Sequence, residues 1–318
     1  MDETARLAML ARVLGSEVRS AGVEMGIGDD AAVLRAAALG GERLVWTIDE
    51  QVEGTHFRRE LASWQDIGWR SFMAAASDVA AMGARPRGAL CALVLPDDVD
   101  DAALEAIARG QREAADATGA PVIGGNLARG TALSITTSVL GACASAIPRS
   151  GARAGDGLWL AGDVGLAAAG LRALETGRAD DRRLTPAVEA WRRPRARIDD
   201  GLAMSAVAHA GVDVSDGLAR DVGHVASASH VRIVLDEAAL RRDVTLAAVA
   251  AALGADALDL ALYGGEDYAL VVACPVPITG FRSIGRVVTG EGLALRGADG
   301  ERAVEPRGYD HFGERRDG

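Results

Sequence analysis

Apolar residues recur along this chain with two periods, and these periods predict its helices and strands. Helical spacing begins with Leu7 and Leu10 in residues 4–15. The same spacing predicts helices at residues 64–83, 97–119, 164–175, 198–210, 217–229, 244–253 and 255–262. Short apolar runs predict strands at residues 43–49, 87–96, 121–125, 133–142, 158–162, 212–214, 231–236, 268–274 and 281–288. We interpret residues 178–197 as a polar, arginine-rich surface stretch.

The composition changes near residue 148, where Gly, Pro, Arg and Asp dominate the sequence IPRSGARAGDG (147–157), and this is typical of an inter-domain loop. A chain of 318 residues favours two domains of ordinary size. We therefore predict domains at residues 1–148 and 149–318. The first mixes strands and helices without regular alternation, which predicts an α+β domain with one face of its sheet covered. The second is predicted to be an α/β domain.

Composition narrows the range of partners and compartments. The net charge of −11 and the pI near 5.0 argue against nucleic acid or an anionic membrane as a partner. The three cysteines are scattered without a CxxC pair, so neither a disulfide framework nor a zinc site is predicted. The first residues are acidic and no apolar run reaches the roughly 18 residues of a membrane span. These features predict a cytoplasmic protein.

Five segments at predicted strand ends and helix starts carry candidate site residues. They are GIGDDAAVL (26–34), TIDEQVEGTHF (47–57), AAASDVAAMGARP (74–86), VIGGNLARG (122–130) and VDVSDGLARDVGH (212–224). Each has an ordinary explanation of its own, such as a turn, a surface histidine, an exposed helix position or an N-cap at Ser215. Together they gather hard oxygen ligands, which are typical of Mg²⁺ sites that also use phosphate oxygens.

The 34 basic residues include no lysine, and this excludes two kinds of phosphate site. A P-loop and a protein-kinase fold each require one. Positive charge near a phosphate must then come from metal ions, backbone N–H groups or arginines, with Arg129 and Arg149 as candidates. Arg149 lies within residues 147–157, so an ordinary solvated linker residue is the alternative.

Several segments resemble the thiamine-monophosphate kinase family when taken in order. They are GIGDDAAVL, the D-x-x-V-E-G-x-H-F frame of 49–57, SDVAAMGA, IGGNLARG, VDVSDGL, YGGEDYAL and GYDHF. That family is related to aminoimidazole ribonucleotide synthetase and selenophosphate synthetase. The resemblance implies transfer of the γ-phosphoryl group of ATP to thiamine monophosphate, with several Mg²⁺ ions. It also implies a homodimer in which the first domains form a shared barrel, with ATP between the domains of each chain.

The resemblance also implies roles for individual residues. Catalytic roles fall to Asp30, Asp78 and Asp213. The implied metal ligands are Asp30, Thr47, Asp49, Asp78, Asn126, Asp213 and Asp216. ATP is expected to contact Gly125, Asn126, Arg149 and Ser215. Thiamine monophosphate is expected to contact His56, Glu266 and Tyr309, whose ring could stack on an aromatic substrate.

The chain departs from the family pattern at two places. Asn126 stands where the family has a metal-binding aspartate, and Leu127–Ala128 replaces a threonine pair. Ile48 removes a hydroxyl, whereas Glu50 adds a carboxylate, so we hypothesise that Glu50 replaces the charge lost at Asn126. Two alternatives to an active kinase stay open. One is a weakened paralogue that binds nucleotide or thiamine phosphate without turnover, and the other is a related enzyme with a different phosphate acceptor.

Overall fold

The computed structural model describes residues 9, 12–13, 23–25, 33–34 and 43–309. The chain divides into two compact units, Met1–Ala146 and Ile147–Gly318. The predicted boundary at residue 148 lies two residues after this division. Each unit mixes helices with a sheet, so the predicted two-domain fold class is confirmed.

The described part of the first unit contains six strands, two helices and the helical residues 9, 12 and 13. In chain order the strands and the two helices are β1 (Val23–Met25), β2 (Val33–Leu34), β3 (Arg43–Val52), α1 (Trp64–Ala81), β4 (Arg85–Leu95), α2 (Asp101–Thr118), β5 (Val122–Arg129) and β6 (Ser134–Cys143). β1 and β2 pair with each other, and the other strands form a sheet in the order β3-β6-β4-β5. In that sheet β4 and β5 run parallel, while β6 is antiparallel to both β3 and β4.

Helices α1 and α2 cross at two glycines, which lets their backbones approach closely. A Cβ on Gly68 would lie 2.0 Å from the carbonyl oxygen of Ile107, and one on Gly110 would lie 1.9 Å from that of Gln65. The ends of α2 are also set locally: the Asp100 side chain accepts the N–H of Ala103, and Gly119 closes the helix in the left-handed conformation.

The two helices cover one face of the first-unit sheet, as the sequence predicts. Ile135, Thr137 and Val139 of β6 are fully buried at alternate positions. On β3, the alternate residues Trp46 and Ile48 are 72% and 69% exposed, so they lie on the uncovered face.

The described part of the second unit contains seven strands and seven helices. In chain order these are β7 (Gly157–Ala161), α3 (Leu166–Glu175), α4 (Thr185–Arg192), α5 (Ile198–Met204), β8 (Ala210–Val214), α6 (Leu218–Ser229), β9 (Arg232–Asp236), α7 (Glu237–Leu240), α8 (Val244–Leu253), α9 (Ala257–Tyr263), β10 (Ala269–Cys274), β11 (Arg282–Val288), β12 (Gly292–Gly297) and β13 (Gly300–Ala303). The sheet order is β13-β12-β9-β11-β7-β10-β8. Among these described strands only β9 and β12 pair in parallel.

The edge strand β8 and its neighbour β10 are buried throughout. Every residue of β8 and β10 is buried, which explains their almost continuous apolar sequences. Asp213 is the exception in β8: it is a carboxylate at 3% exposure inside a buried strand. Such a group must be compensated by partners near the end of the strand.

The second unit departs from the predicted elements in three respects. The stretch interpreted as polar surface contains α4, whose Trp191 is 1% exposed, so that interpretation is wrong there. Helix α5 ends at Met204 rather than at residue 210. The sequence also did not predict α7 or the hairpin of β12 and β13.

No single helix of the described residues is long and apolar enough to cross a membrane. The pair Val244–Leu253 and Ala257–Tyr263 passes that test of length and composition only when both helices are taken together, and they meet at a bend of 110°.

Candidate active site

In the first unit, a strand and a helix bring two predicted metal ligands together. The Thr47 hydroxyl of β3 donates to Oδ2 of Asp78 in α1 over 2.5 Å. Asp78 is half-buried between the fully buried Ser77 and Val79. A hydroxyl donor compensates the cost of placing this carboxylate in an apolar helix and fixes one of its oxygens. Asp78 therefore does not point freely into solvent, which was the ordinary explanation for it.

Asp49 lies two residues beyond Thr47 on the same face of β3. Its Oδ1 accepts the backbone N–H of Glu50 over 2.8 Å. Side chains two residues apart along a strand share a face, so Thr47 and Asp49 both point to the side covered by α1. The first-unit sheet thus presents hydroxyl and carboxylate oxygens next to Asp78.

Gly125 and Asn126 lie on the opposite edge of that sheet, in β5. Gly125 pairs with Cys91, and a Cβ there would lie 1.8 Å from the Cys91 carbonyl oxygen, so only glycine fits. Asn126 is exposed beside Ala92. Gly125 thus allows close packing of β5 on β4, and Asn126 offers one exposed amide oxygen at this edge.

The ring of His56 is held by the backbone of its own turn. Its Nδ1 accepts the N–H of Val52 over 3.0 Å. A nitrogen that accepts a hydrogen bond carries no proton, so the neutral ring carries its proton on Nε2. His56 therefore presents Nε2–H as a donor on its other side.

In the second unit, three carboxylates gather where β8 leads into α6. Asp213 and Asp221 are each 3% exposed, and Asp216 is half-buried. Oδ2 of Asp221 accepts the backbone N–H groups of both Ser215 and Asp216 over 3.1 Å. Burial, and then the charges of Asp213 and Asp216, raise the pKa of Asp221 to about 8. This cluster is unfavourable unless a proton or a cation neutralises part of its charge.

The loop before β10 closes over this cluster with an unusual backbone. Glu266 and Tyr268 have φ angles of 63° and 51°, in the left-handed region that non-glycine residues seldom occupy. The Glu266 N–H donates to the Ser215 carbonyl, and the Tyr268 N–H donates to the Val214 carbonyl, both over 2.8 Å. These bonds fasten the loop to the end of β8.

Two further side chains fix the same loop. The indole Nε1–H of the buried Trp191 donates to Oε2 of Glu266 over 2.8 Å. The Asp267 carboxylate accepts the N–H groups of Gly165 at 2.6 Å and Ala167 at 3.0 Å, and so caps α3. Burial raises the pKa of Asp267 to about 7, with these N–H donors acting in the opposite direction.

The last described residues return to the start of α6. The Tyr309 N–H donates to the Asp216 carbonyl over 3.0 Å, and the Tyr309 carbonyl accepts from Nη1 of Arg220. The Tyr309 side chain is 45% exposed. Tyr309 therefore lies beside Asp216, although 93 positions separate them in the sequence.

Arg149 is exposed and lies in the second unit. Its carbonyl accepts the hydroxyl of Ser229 over 3.2 Å. Burial lowers the pKa of His224, and the positive charges of Arg149 and Arg220 add to this effect. Arg149 thus contributes positive potential near α6.

The donor set is chemically suited to Mg²⁺, because it consists of hard carboxylate, hydroxyl and amide oxygens. Within the residues that the structure describes, no group of three or more His, Cys, Asp or Glu side chains is arranged to hold a metal ion. Mg²⁺ commonly binds through one or two carboxylates together with substrate phosphates, and does not require a complete protein cage.

Comparison with known proteins identifies the family. Residues 28–143 match the family model described as AIR synthase related protein, N-terminal domain. The thiamine-monophosphate kinase of Mycobacterium tuberculosis is 37% identical over 99% of this chain and 93% of its own length. This chain belongs to the thiamine-monophosphate kinase family.

Solved structures of the thiamine-monophosphate kinase family share the fold. The enzyme from Stenotrophomonas maltophilia K279a has a TM-score of 0.81 and 34% identity, covering 91% of this chain and 96% of that chain. AaThiL complexed with AMPPCP and TMP also has a TM-score of 0.81, with 30% identity over 98% of this chain and 97% of that chain. The similarity extends over both units.

As a member of the thiamine-monophosphate kinase family, this chain brings part of its predicted site residues together in two groups, one in each unit. Gly125 and Asn126 lie apart from the first-unit group, on β5, and His56 and Arg149 belong to neither group. The first-unit group joins Thr47 to Asp78, with Asp49 on the same face of the sheet. The second-unit group joins Asp213, Ser215, Asp216, Glu266 and Tyr309. Asp30 lies outside the described residues.

The hypothesis that Glu50 replaces the charge lost at Asn126 does not fit the sheet. The two residues lie on opposite edge strands, three strand spacings or about 14 Å apart. Glu50 instead accepts a hydrogen bond from the Ser134 hydroxyl over 2.6 Å. Within one chain, a single ion cannot be bound directly by both residues.

Sequence reasoning missed three residues that organise the second-unit group. Asp221 was visible in VDVSDGLARDVGH, but its bonds to Ser215 and Asp216 depend on how the turn folds. Asp267 follows Glu266 in the GGEDY segment and carried no separate signal. Trp191 lies in the arginine-rich stretch, and nothing local predicts its burial against Glu266.

Proposed function

We propose that this protein transfers the γ-phosphoryl group of ATP to thiamine monophosphate and releases thiamine diphosphate and ADP. The observation that carries the proposal is identity of 37% to a named thiamine-monophosphate kinase along 99% of the chain. The match to AaThiL complexed with AMPPCP and TMP adds that a relative of the same fold binds a nucleotide analogue together with TMP.

The reaction suits a site built from acids and hydrogen-bond donors. The attacking atom is a phosphate oxygen that is already ionised, so the reaction requires no general base. The protein must instead position two anions and offset their mutual repulsion. When bound, Mg²⁺ supplies that charge neutralisation, and Asp30, Thr47, Asp49, Asp78, Asn126, Asp213 and Asp216 are the residues proposed to hold it.

Asp30, Asp78 and Asp213 are proposed as the catalytic carboxylates within this set. The burial of Asp213 and the hydrogen bond from Thr47 to Asp78 support the proposal, because both carboxylates are held in fixed positions. The surroundings of Asp213 also support the proposal, since burial first, and then the charges of Asp213 and Asp216, raise the pKa of Asp221 to about 8.

ATP is proposed to contact Gly125, Asn126, Arg149 and Ser215. Gly125 and Asn126 are exposed on the edge strand β5, and Arg149 contributes positive charge near α6. Thiamine monophosphate is proposed to contact His56, Glu266 and Tyr309. His56 presents an Nε2–H donor, Glu266 is oriented by Trp191, and Tyr309 offers a partly exposed aromatic ring.

The two domains are proposed to have different tasks. Residues 1–148 bind metal and ATP and form a homodimer, and residues 149–318 complete the active site. The uncovered face of the first-unit sheet supports dimerisation, because Leu44, Trp46 and Ile48 expose 54%, 72% and 69% of their surfaces there. A contiguous apolar patch of this kind marks an interaction surface.

The proposal is tested by incubating purified protein with ATP, Mg²⁺ and thiamine monophosphate and separating the products. We expect thiamine diphosphate and ADP in equal amounts. Asp213→Asn should lower kcat by about a hundredfold or more, since it removes a buried charge at the reacting phosphates. Omitting Mg²⁺ should abolish turnover.

Two results would contradict this function. Tight binding of ATP or thiamine monophosphate without any thiamine diphosphate would identify a weakened paralogue. Turnover with another phosphorylated acceptor, but not with thiamine monophosphate, would identify a related enzyme of different specificity.

A further inference from the structure

The last described residues of the chain are held against α6 and the turn at Asp216 by several contacts. Residues 305–309, which we call the C-terminal strap, cross the first turns of α6. Pro306 packs on Gly223, where a Cβ would lie 2.5 Å from the Pro306 side chain. The Arg307 guanidinium lies 4.1 Å from the centre of the Tyr263 ring. These contacts fix the path of the strap before it reaches Tyr309.

Arg220 connects the end of the strap to the acidic cluster. Its Nε lies 3.5 Å from Oδ2 of Asp216, and its Nη1 donates to the Tyr309 carbonyl. The Asp216 carbonyl in turn accepts the Tyr309 N–H over 3.0 Å. The backbone of Tyr309 is therefore bonded on both sides, once to Asp216 and once to the arginine that pairs with Asp216.

Gly308 shows how closely the strap is seated. A Cβ at this position would lie 2.2 Å from the Asp216 carbonyl oxygen and 2.9 Å from Cβ of Arg220. The backbone of Gly308 does not have a positive φ. Glycine is needed there for close approach rather than for a special conformation.

We propose that Arg220 is a positioning residue for the thiamine monophosphate site, because it fastens the C-terminal strap so that Tyr309 is presented beside Asp216. The guanidinium suits this role, since its planar fork can serve a carboxylate and a carbonyl at the same time. This inference rests on the proposed function and on the proposed contact between Tyr309 and the substrate. Arg220 itself need not touch substrate.

The kinetic test compares Arg220→Gln and Gly308→Ala with Arg241→Gln. Arg241 forms an exposed pair with Glu237 on α7 and serves as the matched control. Both strap variants should raise KM for thiamine monophosphate on the order of tenfold, the value of one aromatic contact, and should leave KM for ATP within about twofold. The control should change neither constant.

A second measurement does not depend on turnover. Hydrogen exchange at the backbone N–H of Tyr309, without substrates, should become faster in Arg220→Gln and in Gly308→Ala and stay unchanged in the control. Thermal unfolding of each variant checks that the fold is intact.

The outcomes separate this inference from the proposed function. Wild-type turnover with an unchanged KM for thiamine monophosphate in both strap variants would overturn the positioning role alone. An equal rise in both KM values would also overturn it, because Arg220 would then act through Asp216 instead of Tyr309. Absence of any wild-type turnover would reject the proposed function itself.

Discussion

A single hydrogen bond joins Thr47 to Asp78 across 31 positions of the sequence. Without the other, neither the Asp78 carboxylate nor the Thr47 hydroxyl would be held in one orientation. The hydrogen bond between β3 and α1 restricts the rotamers of both side chains. The geometry of the first-unit group therefore depends on one hydrogen-bond donor as much as on the acids.

Thr47→Val tests this dependence with almost no change in shape. We expect the half-saturating Mg²⁺ concentration of the phosphotransfer reaction to rise about tenfold, because the substitution removes the hydroxyl of a proposed Mg²⁺ ligand together with the hydrogen bond that orients Asp78. Thr47→Ser keeps the hydroxyl and should stay within about twofold of the wild type. Equal Mg²⁺ titrations for the valine and serine variants would show that the hydroxyl is irrelevant.

Asn126 and Glu50 provide a second test at the scale of single residues. Asn126→Asp should lower the half-saturating Mg²⁺ concentration by the same factor in the wild type and in Glu50→Gln, because sites separated by about 14 Å act independently. Mg²⁺ titrations of the two single variants and the double variant give the coupling. A larger effect of Asn126→Asp in the Glu50→Gln background would instead support the hypothesis that Glu50 replaces the charge lost at Asn126.

Individual elements differ in how far their own sequence determines them. The C-terminal end of α2 could be predicted, since Gly119 ends the helix in the left-handed conformation. Its N-terminal end was predicted too early, because the acids before Asp100 lie outside the helix. Helix α4 could not, because its apolar side consists of only Ala187, Val188 and Trp191 among polar residues. Its burial is decided by tertiary packing.

The site shows the same division between local and tertiary information. Sequence motifs brought Asp213, Ser215 and Asp216 together because they are neighbours in the chain. They could not show that Asp221 would bond back to that turn or that Trp191 would reach Glu266. Those contacts join segments through the fold, and side-chain types alone do not encode them.

The cap of α3 leads to a prediction about pH. The pKa of Asp267 is raised to about 7, mainly by burial, so the folded chain keeps a proton that the unfolded chain loses at about pH 4. The folded state then binds more protons, and the free energy of unfolding decreases as pH rises through this window. Asp267→Asn cannot titrate, so the advantage of the wild type should be larger at about pH 5 than at about pH 8 in urea unfolding.

Asp256→Asn is the matched control for this experiment. Asp256 caps α9, and the pKa of its carboxyl is lowered, first by the Leu258 N–H, so this residue is ionised in both states above about pH 5. Its effect on the free energy of unfolding should be the same at both pH values. A pH-independent effect of Asp267→Asn as well would contradict the raised pKa.

At the scale of the whole molecule, the surface combines many charged side chains with an apolar face. The chain carries 45 acidic and 34 basic residues, none of which is lysine. Its basic groups are therefore arginines, many of which form ion pairs with nearby acids, such as Arg296 with Asp236 and Arg183 with Asp181. The uncovered face of the first-unit sheet is different, because it exposes the large apolar side chains of Leu44, Trp46 and Ile48.

Trp46→Glu tests whether that face joins two copies of the chain. We expect sedimentation velocity to show a shift from dimer toward the 32.8 kDa monomer, because the substitution places a charge in the apolar patch. Val244→Glu changes an isolated valine that is 80% exposed in α8, and it should leave the mass unchanged. A dimer that persists in Trp46→Glu would place the interface elsewhere.

The left-handed backbone at Glu266 and Tyr268 bears on how selection acts at these two positions. Each residue costs roughly 1–2 kcal/mol more than glycine in that conformation. Selection for heat resistance alone would therefore favour glycine at both positions. Replacing Glu266 would leave the indole of Trp191 without its carboxylate acceptor. At this loop, higher folding stability and the proposed contact of Glu266 with thiamine monophosphate therefore favour different residues.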